Sequence, residues 1–260
     1  MKKNQFYFYA IIAAMVAAPS LGCKKIAEKI LEDPCADIRF CNIKSYSFPG
    51  FGTSFAPNTA SFTFDGYGNP LKVVNTFVST GAPDLIFRYD ALHRLSEFFR
   101  PYANGEFETW SKYVYDASGR VAFDTTYVFG SITPLWPPTD FTQRRLTTYE
   151  YDGTCRVIKT STIGIGGVED GSPPIVNTYT YDADGNLIRP GISYDNKVNI
   201  HRTNKVFMFV DRDFSMNNPF TASTYNGFGL PQMVGSPTAG PSVYFLQRVT
   251  DHSTFVYQCD

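Results

Sequence analysis

The sequence predicts an all-β protein built as a curled antiparallel meander of hairpins, with one short helix near the N-terminus. Three observations predict it. Aromatic residues make up 16% of the 260 positions, as 23 Phe, 17 Tyr and 2 Trp, and they come with 20 Gly and 17 Pro, a mixture of strand formers and turn formers. A unit of two aromatics flanking one residue, followed by Asp and a tight turn, recurs along the chain. No long stretch repeats its apolar residues with the 3.6-residue period of a helix. The charge balance, 23 Lys and Arg against 24 Asp and Glu, gives a formal net charge of -1. That excludes an electrostatic surplus for nucleic acid and the self-repulsion of a disordered chain.

Residues 1–22 read as an export signal. Lys2 and Lys3 precede an uncharged run from Phe6 to Leu21 that ends at Ser20-Leu21-Gly22-Cys23. The run is shorter than the 18 to 20 or so residues that a membrane span needs, and Pro19 interrupts it. Gly22-Cys23 resembles the lipobox of bacterial lipoproteins, with Ser20 where that family has Leu; the resemblance implies cleavage before Cys23 and acylation of its thiol. Lys24 in the next place is similar to lipoproteins sorted to the outer membrane. Residues 23–40 then form a tether, in which Ile26, Ile30 and Leu31 share one helical face before Pro34 stops the pattern. The β domain is expected over residues 41–260.

Once Cys23 is set aside, Cys35, Cys41, Cys155 and Cys259 form an even set suited to two disulfides in an oxidising compartment. Proximity favours Cys35 with Cys41, which leaves Cys155 with Cys259. The alternative joins Cys41 on the first strand to Cys259 on the last. Zinc is excluded by spacing, since no C-x2-4-C pair occurs.

The heads of the repeat are Phe62-Thr-Phe64-Asp65, Phe87-Arg-Tyr89-Asp90, Tyr113-Val-Tyr115-Asp116, Tyr149-Glu-Tyr151-Asp152 and Tyr179-Thr-Tyr181-Asp182, with weaker relatives at Tyr194-Asp195 and Tyr225-Asn226. Alternation along a strand points both aromatics one way and the residue between them the other way, giving one aromatic and one wet face. Asp at the first turn position and Gly at the fourth (Gly68, Gly119, Gly185) fit a type I turn with a bulge, so Asp65, Asp90, Asp116, Asp152 and Asp182 are structural. His93, in the Gly place, is expected to adopt positive φ. Return strands begin at Leu71, Leu95, Val121, Val157 and Leu187. In the less regular last third, KVFMFV (205–210), 243–249 and 254–258 read as strands. A sheet with an aromatic face and no helices must curl, as a spiral, a barrel or a sandwich.

Two connections are long, 130–141 and 163–176. Surface loops on a rigid sheet carry binding. Trp136, set among Pro134, Pro137 and Pro138, with Tyr127 and Phe129 on the strand before it, is the candidate binding surface; the competing reading makes Trp136 a lid over the sheet.

No nucleophile, zinc or phosphate-loop motif occurs, and His93, His201 and His252 have no evident nucleophile. The alternating oxygens of Asp211, Asp213, Ser215 and Asn217 begin like a calcium loop, but Met216 stands where Gly is needed; a solvated loop is expected. No cofactor or metal is expected.

The pattern Y-x-Y-D-x-x-G-[RN]-[LV], as in Tyr113 to Val121 and Tyr179 to Leu187, resembles the YD repeat of RHS and teneurin-type proteins over about residues 62–235. The resemblance implies a spiral sheet of hairpins and contributes no catalytic residues. With the lipobox, it suggests a small YD-repeat lipoprotein of the bacterial envelope. The expected function is a lipid-anchored, non-catalytic binding module for a glycan or a partner protein. A self-associating structural protein is the alternative, and a carboxylate hydrolase a weaker one.

Overall fold

The computed structural model describes residues 41–48, 57–134, 136–167, 169–234, 244–246, 248–249 and 252–259. Cys23, Cys35 and the N-terminal helical pattern lie outside them.

Each aspartate of the repeat builds its own turn. One carboxylate oxygen of Asp90 accepts the amides of Leu92 and Arg94, both at 2.9 Å. Asp116 takes those of Ser118 and Arg120, and Asp152 those of Thr154 and Arg156. The fourth residue donates its N–H to the Asp carbonyl and holds positive φ: Gly68 78°, His93 59°, Gly119 77°, Cys155 54° and Gly185 79°. His93 therefore adopts the turn geometry expected of it, and Cys155 does the same. Asn226 repeats the arrangement, accepting from Phe228 and Leu230, with Gly229 at 80°.

These turns join the strands β1 (Cys41–Phe48), β2 (Asn58–Phe64), β3 (Pro70–Asn75), β4 (Leu85–Tyr89), β5 (Leu95–Pro101), β6 (Glu106–Tyr115), β7 (Val121–Ser131), β8 (Phe141–Tyr151), β9 (Val157–Gly167) and β10 (Ile175–Thr178). There follow a 3-10 turn (Ile200–Thr203), a helix α1 (Lys205–Asp211), β11 (Ala222–Tyr225), β12 (Pro231–Val234), the short pair β13 (Tyr244–Phe245) and β14 (Arg248–Val249), and β15 (Thr254–Cys259). Thirteen strands form one antiparallel sheet in the order β10-β9-β8-β7-β6-β5-β4-β3-β2-β1-β15-β12-β11. The sheet is open, and consecutive strands from β1 to β10 are neighbours. A register shift at the Asp65, Asp90, Asp116 and Asp152 turns marks the expected bulge. Pro70, not Leu71, is the buried first residue of β3, because it sits five positions after Asp65 as Leu95 sits after Asp90. The predicted connection 163–176 is shorter than expected, since β9 continues to Gly167.

Both aromatics of every head point to one face. Phe62, Phe87, Tyr113 and Tyr149 are buried there, and Phe64, Tyr89, Tyr115, Tyr151, Tyr179 and Tyr181 pack against them. The residues between, Thr63, Arg88, Val114, Glu150 and Thr180, are exposed. The second aromatic also reaches back to the previous hairpin. Tyr89 Oη donates to the carbonyl of Pro70, Tyr115 to Leu95, Tyr151 to Val121 and Tyr181 to Val157, at 2.7 to 3.3 Å. The guanidinium four positions after the preceding Asp covers the same ring: Arg94 over Tyr115 at 4.1 Å, Arg120 over Tyr151 at 5.2 Å and Arg156 over Tyr181 at 4.1 Å. Burial, with the Asp90 charge adding to it, pushes the Tyr115 phenol up to about 12, so it remains a donor throughout the physiological range.

KVFMFV is a helix, not a strand, and it covers the aromatic face. After Lys205 the run is apolar without a break, so no 3.6 period separates helix from strand, and so apolar a helix is one that will be buried. Asn204 caps it by accepting the Val206 amide, and Arg212, at φ 56°, closes it. Phe207 touches Phe62 of β2 and Phe87 of β4, while Phe209 touches Tyr113 of β6 and Tyr149 of β8. One helix turn contacting strands so far apart in the sheet requires the sheet to curl around it. The expectation that only curling would cover the face is corrected accordingly.

Cys41 and Cys259 are register partners on β1 and β15 and form a disulfide. The pairing favoured by proximity is thus overturned: the first and last strands of the described sheet are neighbours, which short-range spacing could not show. Cys155 is left as an exposed thiol.

Partial burial pushes the Asp65, Asp90 and Asp152 carboxyls up, but hydrogen bonds donated within the turn outweigh it; at Asp116 the Arg120 amide is the largest influence. All four end below the ordinary value of 3.8. Their contribution to stability is therefore complete above about pH 4 and is lost as pH falls through the folded values. The thermal midpoint should drop as pH falls below about 4, less so in Asp90→Asn. At neutral pH, Asp90→Ala should cost about 1 to 2 kcal/mol, or roughly 2 to 8 °C, measured by calorimetry.

Candidate functional site

The expected wet face is not uniformly wet. Ile86, Phe99, Trp110 and Tyr127 are successive register partners across β4, β5, β6 and β7, on the face opposite Phe98 and Tyr113. Phe99, Trp110 and Tyr127 are buried, with Phe107 beside them. The extra residue of β6 at the Arg100–Pro101 bulge turns Phe107 to this side. Gly130 lies so close that an added Cβ would stand 2.8 Å from the Phe107 ring and 2.1 Å from the Asp140 carbonyl, so only glycine fits. Glu97 accepts from Trp110 Nε1 at 3.1 Å and from Arg88 at 2.8 Å, fixing the indole.

The connection between β7 and β8 folds back over this row. Trp136 packs edge to face on Trp110 at 5.3 Å and on Tyr127 at 5.0 Å, and Lys112 Nζ lies 5.6 Å from its ring. Of the three predicted site residues, Tyr127 is buried beneath Trp136, Trp136 is half-buried, and Phe129 is 44% exposed. The structure brings Trp136 and Tyr127 together; Phe129 stands further along β7 at φ 42°. Ile132 (40%), on the connection, and Phe141 (36%), the first residue of β8, add exposed apolar surface.

A second feature is a pocket of about 410 Å³ at the turn end of the hairpins. Arg94, Tyr115, Arg120, Tyr151 and Cys155 come from the turns of the second to fourth repeats, and Lys205, Val206, Met208 and Phe209 from α1. The lining is mostly apolar, and among the described residues no Asp or Glu contributes to it.

The titratable groups below α1 are tied to one another. His201, 1% exposed, makes contacts of 2.8 Å from Nε2 to Asp211 and 2.9 Å from Nδ1 to Asn199 Oδ1. Asp213, also buried, pairs with Arg189 at 2.9 Å; burial raises its carboxyl, but His201 and Arg189 prevail and hold it below the ordinary range. The expected solvated loop at 211–217 is therefore a buried lock, and its carboxylates already have protein partners. At the same end of α1, Arg212 donates to Tyr149 Oη, which donates to the buried Asp124, whose carboxyl burial pushes up. Sequence reading missed these locks because their partners are distant in the chain. The recurrence of Arg four places after Asp, at 94, 120 and 156, was the one available signal for the stacking role.

No family profile and no curated protein matches the chain. Among solved structures, the chain is similar to the TcdB2-TccC3-Cdc42 complex, at 15% identity and a TM-score of 0.22, covering 70% of this chain and 9% of that one. It is also similar to TcdB2-TccC3 without its hypervariable C-terminal region, at 11% identity and a TM-score of 0.25, covering 77% and 12%. The chain spans about a tenth of those structures. Likeness at this level carries no functional argument.

Proposed function

We propose that this protein is a lipid-anchored, non-catalytic binding module of the bacterial cell envelope that takes a glycan on the surface around Trp136. The observation that carries the reading is a half-exposed indole held on a buried aromatic row, with Phe141 packed on Tyr127 of that row and exposed Phe129 and Ile132 on β7 and the connection after it. Rings already fixed by packing lose little freedom when a sugar face stacks on them. The export pattern of residues 1–22 and the Cys23 lipobox supply the anchor, and the resemblance to YD-repeat envelope proteins supports the setting.

A structural, self-associating role is favoured by one observation. β10 is an edge strand exposed along its length, with Ile175 at 56% and Val176 at 51%, and such edges template pairing with another chain.

Two outcomes test the reading. Radiolabelled palmitate should enter the full chain in cells and be lost from Cys23→Ser. Full-length protein in detergent should bind cell-wall glycan fragments by calorimetry. Phe129→Ala and Trp136→Ala should each weaken binding roughly tenfold or more, about 1.4 kcal/mol. Trp136→Ala should also lower the thermal midpoint, because it uncovers Trp110, whereas Phe129→Ala should not. Unchanged glycan affinity in both variants would remove the site, and concentration-dependent dimers lost on Val176→Lys would favour self-association.

A further inference from the structure

The sheet register sets two cations beside the Trp136 platform. Tyr127 pairs with Trp110 of β6 on one side and with Arg144 of β8 on the other. Register partners in an antiparallel pair project to one face, so Arg144 extends the row of Ile86, Phe99, Trp110 and Tyr127 by a guanidinium. Lys112, two residues after Trp110 on β6, shares that face by strand alternation, and its Nζ lies 5.6 Å from the Trp136 ring. We infer that the surface around Trp136 selects an acidic glycan, one whose sugars carry a carboxylate, and that Lys112 and Arg144 set this specificity. The inference rests on the proposed glycan site and names its substrate class.

The charges point to an anion. Among the described residues neither Lys112 nor Arg144 forms an ion pair, whereas Arg88 is held by Glu97, Arg145 by Glu169 and Lys159 by Glu150. The contrast within β8 is direct: Arg145 projects to the opposite face and has its acid, while Arg144, the residue before it, has none. Neighbouring acids are engaged elsewhere. Glu97, the register partner of Lys112, accepts from Trp110 Nε1 and from Arg88. Asp140 accepts from Ser131 Oγ at 2.9 Å, beside the Glu106–Ser131 register pair, four residues along the strands from the Trp110–Tyr127 pair.

Arg144 carries a second signal. Its Nε is buried and makes no hydrogen bond among the described residues. A buried donor without an acceptor is unfavourable, and the forked guanidinium matches a carboxylate in two parallel bonds. A ligand carboxylate at this half-buried side chain therefore supplies acceptors that the chain does not.

The spacing suits a sugar. A pyranose stacked by its apolar face on an indole directs its ring substituents outward, and the carboxylate of a uronic acid is one of these. Lys112 stands at the rim of the Trp136 ring to meet it. β6 and β8 are two strand spacings apart, about 10 Å, and the rows of Lys112 and Arg144 differ by two residues, about 7 Å. Their Cα atoms are thus about 12 Å apart, a gap that two long side chains close around one or two adjacent sugars.

The test is calorimetric binding of the full-length protein, in nonionic detergent, to oligosaccharides of galacturonic, glucuronic and mannuronic acid, each against its neutral, carboxyl-reduced counterpart. The best-bound acid should exceed its counterpart roughly tenfold in affinity or more, and this ratio should fall as salt rises from about 0.05 to about 0.5 M. The ratio should drop roughly tenfold in Lys112→Gln and in Arg144→Gln, and further in Lys112→Glu. Where Arg144→Gln alters the thermal midpoint, the two Lys112 variants decide. Equal affinity for acid and neutral forms, or a ratio that ignores the Lys112 variants, would overturn the inference and leave the glycan reading standing. Binding of neither form while cell-wall fragments still bind would also overturn the inference alone. Binding of no glycan at all would remove both.

Discussion

Successive hairpins are held in step by the second aromatic of each repeat. From the second repeat on its hydroxyl donates to the carbonyl that opens the previous return strand, and from the third on its ring lies under the arginine that the previous aspartate holds. A backbone ladder alone would tolerate slippage, since any strand offers amides at every residue. A tyrosine that must find one carbonyl and one guanidinium fixes a single register. The aspartate, the arginine and the tyrosine are thus one device spread over two repeats. The constant head and variable tail follow, because the contacts lie at the turn end and place no demand on the opposite connections. Such nearest-neighbour coupling is the general logic of repeat proteins.

The aromatic stripe that this register creates needs cover, and α1 provides it. Phe207 and Phe209 touch opposite parts of the curled sheet, and the C-terminal end of the helix is fixed by polar groups, Asp211 with His201 and Arg212 with Tyr149 and the buried Asp124. These groups are internal fasteners that bond to one another, while Asp211 Oδ1 makes no hydrogen bond among the described residues. The Cys41–Cys259 bridge completes the frame by joining strands 218 residues apart in sequence.

The sequence was legible where the physics is local. Turn aspartates, the positive φ of His93 and the shared face of the paired aromatics depend on neighbours within about five residues, and each was readable. KVFMFV was misread because a uniformly apolar run has no periodicity, and the Asn204 cap before it was the overlooked local signal. The cysteine pairing and the buried carboxylates of 211–213 depend on which distant strands meet, which no spacing rule encodes. Trp136 was found from its proline-rich setting. The row beneath it, Ile86 to Tyr127, was hidden because its members lie on four different strands and each looks like an isolated aromatic or aliphatic residue on a polar face.

The claim on which the rest turns is that adjacent repeats are energetically coupled through the arginine and tyrosine. A double-mutant cycle on Arg94→Met and Tyr115→Leu, read as unfolding free energy in urea, tests it most directly. The coupled account predicts an interaction energy of about 0.5 to 1.5 kcal/mol between the two sites. Strict additivity of the two losses would contradict it.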